Sequence, residues 1–138
     1  MKKFAIVLMT LVVAIAAIGL SACDKKVTFD DLDLDAEVID LTVIKDLLDL
    51  TDAVSGIAEK PDDFLGKTLI VQGWYDTRMV GGTAHHYIAT DCCYYAWVKG
   101  KGFEIKSDSY PAKNAAIKIE GTFSKDGTLY FINVTKLL

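Results

Sequence analysis

The segment AIKIEGTFS, Ala116 to Ser124, alternates without a break. Ile117, Ile119, Gly121 and Phe123 fall on one side, Lys118, Glu120, Thr122 and Ser124 on the other. Successive side chains of a strand point to opposite faces, so this pattern puts one face in a core and the other in water. The following KDG reads as a hairpin turn, and TLYFINVTKLL closes the domain. The end of the chain is therefore β-structure with one apolar face, and the rest must supply its cover.

Upstream, KTLIVQGWYDT is rich in β-branched and aromatic residues and reads as a strand, RMVGGTA as a loop. HHYIATDCCYYAWVKG holds one long or two short strands with a bend near Asp91, and GKGFEIKSDSYPAKN reads as loop, short strand and loop. Before Gly66 the period changes. Leu47, Leu50, Ala53, Val54, Ile57 and Ala58 lie three and four apart, the spacing of an amphipathic helix. Asp49 and Thr51 are the candidates to cap its start. Lys60 precedes Pro61, which disfavours further helix. VIDLTVI alternates and suits a short edge strand. The expected fold is mainly β: a small five-stranded barrel or curled sheet of the oligonucleotide/oligosaccharide-binding (OB) type with one short helix. Closure would remove exposed strand edges.

The amino terminus sets the compartment. Lys2 and Lys3 precede an apolar run from Phe4 to Leu20, followed by Leu20-Ser21-Ala22-Cys23. A positive start, apolar middle and small-residue end make a secretory signal, and the last four residues resemble a bacterial lipobox. Cys23 is the expected lipidation site. The chain divides into a signal peptide (1–22), a lipidated acidic tether (23–40) and an OB-like domain with an N-terminal helix (41–138). From Asp24 to Asp52 there are ten acidic and three basic residues; from Ala53 onward there are nine and ten. Neither part carries the basic patch that nucleic acid requires.

With Cys23 lipidated, Cys92 and Cys93 remain. They are neighbours, so no bridge between distant segments is available and core packing must hold the fold. They sit in HHYIATDCCYYAW with His85, His86 and Asp91, a set with zinc- or copper-ligand chemistry. In a regular strand His85 and His86 face opposite sides. A histidine and cysteine sharing a face lie roughly 20 Å apart at ~3.3 Å per residue, so a shared metal requires a sharp bend near Asp91. A strained vicinal disulfide, and cysteines acting as plain core filler, are the other readings of the pair. Trp74, Tyr75, Tyr87, Tyr94, Tyr95 and Trp97 offer stacking surfaces for a sugar, small solute or partner. No Gly-x-Ser-x-Gly and no Gly-rich phosphate loop occurs, so no enzyme is expected.

KPDDFLGKTLIVQGWY, HHYIATDCCYYAWVKG and IKIEGTF…LYFINVTKL together resemble uncharacterised bacterial lipoproteins of Firmicute type. More distantly they resemble the soluble domain of bacterial membrane proteins with a Cys-Cys motif. The likeness spans Val38 to Leu138; its most telling points are Pro61, Gly66-Lys67, Gly73, Asp91-Cys92-Cys93 and Gly121. It implies a β-rich, barrel-like domain after a lipobox and helix, and no particular activity. The distant relatives carry an acidic-alanine stretch after their cysteines, where this chain has Tyr94-Tyr95-Ala96. The expected function is a lipid-anchored extracytoplasmic binding module of unknown ligand. The alternative is a metal-handling lipoprotein using His85, His86, Asp91, Cys92 and Cys93. No resident cofactor is expected on the first reading and zinc on the second. The expected partners are the membrane, through the anchor, and a protein or small molecule.

Overall fold

The longest strand, β2 (Thr68–Val80), organises the molecule. The structure is a computed structural model that describes residues 25–91 and 97–138. Alternation along β2 sends Leu69, Val71 and Tyr75 inward. Its first half pairs antiparallel with β5 (Ala116–Asp126), its second half with β3 (Thr83–Ala89). β3 continues antiparallel to β4 (Gly102–Lys106), and β4 pairs parallel with β6 (Leu129–Leu137). β6 returns antiparallel to β5, so five strands form a ring in the order β2-β3-β4-β6-β5-β2. A sixth, β1 (Val38–Asp40), lies parallel to the start of β2. The molecule is thus mainly β, a six-stranded mixed sheet with one helix, α1 (Leu47–Glu59).

Gly73 marks the point where β2 passes from β5 to β3. A Cβ at this position would overlap the carbonyl oxygen of Ala89. Only the absence of a side chain lets the two backbones approach this closely.

The ring encloses Ile88, Phe103, Ile105, Ile119, Phe123 and Ile132. Ala53, Val54 and Ile57 of α1 join the same core, all 0% exposed. The helix starts earlier than either cap candidate. Asp46 accepts from the Leu48 and Asp49 N–H groups at 2.9 and 3.3 Å, the arrangement of an N-cap. Thr51 lies inside the helix and donates to the Leu47 carbonyl. At the far end the helix stops before Pro61, as the sequence requires.

Two further boundaries differ from expectation. RMV continues β2, and the turn shrinks to Gly81-Gly82, both at positive φ. Such two-residue turns match the twist of the flanking strands, so the hairpin runs on. The acidic stretch expected as a tether is docked. Val27, Phe29, Leu32 and Leu34 pack against the core, and Lys67 donates to the Leu34 and Ala36 carbonyls at 2.5 and 3.2 Å. Its charges are also used locally: Lys26 lies 2.8 Å from Asp49. Asp31 pairs with Lys25 at 2.6 Å and accepts from Thr28, which holds its carboxyl at about 2.

Candidate functional site

On β3, alternation separates the two histidines. His86 shares the face of Ile88, which packs in the core with Tyr75, while His85 shares the opposite face with Tyr87 and Ala89. His86 Nδ1 lies 2.7 Å from the Tyr75 hydroxyl. Its ring stacks on Tyr110 with centroids 3.6 Å apart. His85 Nδ1 lies 2.9 Å from Glu104 Oε1 on β4. Asp91 sits at the expected bend, 2.8 Å from Lys101 Nζ. Cys92 and Cys93, like Cys23, fall outside the described residues. The three nominated residues that are described therefore have three different sets of neighbours. Among the described residues, no group of three or more His, Cys, Asp or Glu side chains is placed to hold a metal ion.

Burial lowers the His86 imidazole below its ordinary 6.5; His85 acts in the same direction, and Glu104 opposes them. The unfolded chain then binds the proton more readily than the folded one. This contribution to stability is present above pH 6.5 and is lost as pH falls through the lower folded value. Thermal unfolding between pH 7.5 and 5.5, on either side of His86's ordinary value, should show a falling midpoint. His86→Gln should flatten that slope, whatever it does to the absolute midpoint. An unchanged slope in the variant would place the responsible proton elsewhere.

The loop from Thr90 to Lys101 leaves β3 and returns to β4. Its ends are joined by Thr90 N–H and Oγ1, which donate to the Lys101 carbonyl at 3.1 and 3.3 Å. Within it, Trp97 meets Tyr87 edge-on at 6.4 Å and packs on the outward Tyr87–Ala89 pair. The Arg78 guanidinium stands 5.2 Å from the centre of the Trp97 ring. Further along, Gly100 seats the loop on α1. It is at φ +82°, and a Cβ there would run into Ser55, whose hydroxyl donates to the Gly100 carbonyl at 3.4 Å.

These elements bound a groove of about 540 Å³, within the roughly 300–1,000 Å³ typical of small-molecule sites. Its walls are the end of α1, the start of β4, the β5–β6 turn and the loop at Trp97–Gly100. Five aromatic side chains line it: Tyr87, Trp97, Phe103, Phe123 and Tyr130. Glu59, Lys99 and Glu104 supply its charged groups. Tyr130 is fixed by its hydroxyl, which donates to Asp62 at 2.9 Å, and by Lys125 Nζ 4.7 Å from the ring centre. Burial pushes the Tyr87 phenol above its ordinary 10, with Glu104 adding to this and Arg78 opposing it.

Gly100→Ala should loosen this wall. The substitution adds a strained backbone angle to an overlap with Ser55, at a cost of about 1–3 kcal/mol. Faster amide exchange in residues 97–101, with little change in β5 and β6, is the expected readout.

Of the aromatics singled out in the sequence, Tyr87 and Trp97 reach the groove. Tyr75 is buried beside His86, Trp74 lies in a separate depression beside α1, and Tyr94 and Tyr95 fall outside the described residues. Glu59, Phe103, Glu104 and Tyr130 were not singled out by any sequence pattern. Glu59, Phe103 and Tyr130 lie near the ends of their elements and Glu104 in the middle of β4; their convergence depends on ring closure. Compared with known proteins, the chain matches no family model, no curated protein and no solved structure.

Proposed function

We propose that this protein is a lipid-anchored, extracytoplasmic binding module that holds a small ligand in the aromatic groove without transforming it. The observation that carries the reading is the groove itself: five aromatic rings and three charged side chains around about 540 Å³. Ligand sites combine large apolar walls with a few polar groups in this way. The signal peptide and the lipobox at Cys23 support the location. The absence of a nucleophile elbow or phosphate loop from the sequence supports binding over catalysis.

The chain has two tryptophans, Trp74 and Trp97. Trp74→Phe therefore leaves Trp97 as the sole tryptophan fluorophore, at the groove wall. The full-length lipoprotein, held in a non-glycosidic detergent, is titrated with neutral oligosaccharides, polyamines, dicarboxylates, short fatty acids and peptides. A saturable change in Trp97 emission with at least one class is expected, abolished by Leu129→Arg, which fills the groove. If no class saturates, the groove is not a ligand site.

A further inference from the structure

We infer that the start of α1 is the membrane-facing side of this protein, held flush against the bilayer surface by the lipid on Cys23 with no spacer between them. This rests on the lipoprotein reading of Cys23 and is independent of what the groove holds.

A free coil over residues 24–40 would set the domain about 20–25 Å from its anchor on average, and up to about 60 Å when extended. The folded body takes up that length instead. Thr28, five positions after Cys23, already closes a turn with Asp31. The Asp31 N–H donates to the Thr28 carbonyl at 3.2 Å, and the Asp31 carboxylate accepts from the Thr28 N–H at 3.1 Å. Phe29 lies on α1 at Gly56, where a Cβ would overlap its ring. Glycine weakens a helix interior, and here it makes room for the segment. Further along, the Thr68 N–H donates to the Glu37 carbonyl at 2.8 Å. Releasing the segment would return Val27, Phe29, Leu32 and Leu34 to water.

Val27 packs on the core only four positions after Cys23, and four peptide units span at most about 14 Å. Lys26 shows where the chain leaves the body. Its ammonium lies 2.8 Å from Asp49 and 3.5 Å from Asp46, in the first turn and at the N-cap of α1. The same turn leaves Leu47 40% and Leu48 76% exposed, apolar side chains that a headgroup interface accepts. Two leucines add far less than an acyl chain, so they orient the domain and do not anchor it. The 13 residues of α1 rise about 20 Å, and Ala58 and Glu59 at its other end line the groove. The groove therefore stands one helix length from the anchored face, and what enters it is met close to the bilayer.

The test uses full-length, acyl-labelled lipoprotein in supported bilayers and vesicles of phosphatidylcholine. A second form carries a Gly-Ser linker of about 24 residues between Asp24 and Lys25, a coil spanning about 25–30 Å that leaves the docked segment intact. Neutron reflectometry should place the parent's protein layer within about 15 Å of the headgroups. The linker form should lie at least about 10 Å farther out. A parent layer beyond about 15 Å, or one that the linker does not move, would overturn the inference. Nitroxide-labelled headgroups then report the face, with each tryptophan read in the variant that replaces the other by phenylalanine. Trp74 should be quenched about twofold or more above Trp97, since the two line depressions at opposite ends of α1. Equal quenching, or stronger quenching of Trp97, would overturn the assignment of the face. Missing acyl label, or protein that does not float with the vesicles, would remove the lipoprotein reading and this inference with it. A labelled, floating protein with a wide gap would overturn this inference alone.

Discussion

Gly73→Ala is expected to leave little folded protein. The added Cβ would overlap the Ala89 carbonyl oxygen, a backbone atom held by the β2–β3 pairing. A flexible side chain could swing aside, but this oxygen can move only if the ring opens. Next to Gly73, Trp74 pairs with Ala89 on one side and Ala116 on the other, so one methyl group disturbs both seams. Overpacking of this kind costs about 3 kcal/mol or more, against a total stability of roughly 5–15 kcal/mol for a domain. The melting midpoint should fall by more than about 10 °C, or the protein should collect as insoluble material. Thr128→Ala, on the exposed β5–β6 turn, serves as the control and should melt like the parent. A Gly73→Ala protein melting within about 3 °C of the parent, a shift of less than about 1 kcal/mol for a domain of this size, would show that β2 and β3 do not approach so closely.

Cys23→Ala is expected to abolish acylation and processing together. The thiol is the one strong nucleophile near the end of the apolar segment, and an alanine methyl group cannot carry a fatty chain. Each buried methylene contributes about 0.8 kcal/mol, and a stable anchor needs more than one chain or a second attraction. A second attraction is lacking, because ten acidic residues against three basic ones between Asp24 and Asp52 oppose an anionic lipid surface. Cells fed labelled fatty acid should show a labelled, mature-size band in the membrane fraction for the parent. The variant should give no label and no mature-size band there, only uncut precursor. A mature-size, unlabelled Cys23→Ala band still bound to membranes would end the lipoprotein reading.

The two expectations differ in how far they depend on tertiary structure. The expectation for Cys23 comes from a linear pattern of charge, hydropathy and small residues and needs no tertiary contact. The role of Gly73 was not legible in the sequence, since a glycine inside a strand pattern fits a bulge, a bend or a close approach equally well. Deciding among these requires knowing that Ala89 lies opposite.

The same division runs through the rest of the molecule. Alternation at Ile117, Ile119, Gly121 and Phe123 determined β5 and its buried face, because the two-residue period belongs to the strand itself. Three- and four-residue spacing did the same for α1, though its start was misplaced: Asp46, Asp49 and Thr51 are all competent caps, and only the backbone at Asp46 leaves the helical region. Alternation also separated His85 from His86 on local grounds alone. Nothing in the local pattern of DKKVTFDDLDLDAE announced that Val27, Phe29, Leu32 and Leu34 would find a core to cover. Nor could periodicity bring Glu59, Glu104 and Tyr130, the last 71 positions from the first, to one groove. Local periodicity and linear motifs determined the elements, the buried faces and the expected address. Ring closure alone decided which element ends meet and what chemistry they share, because those contacts join residues distant in the chain, and no short-range rule reports them.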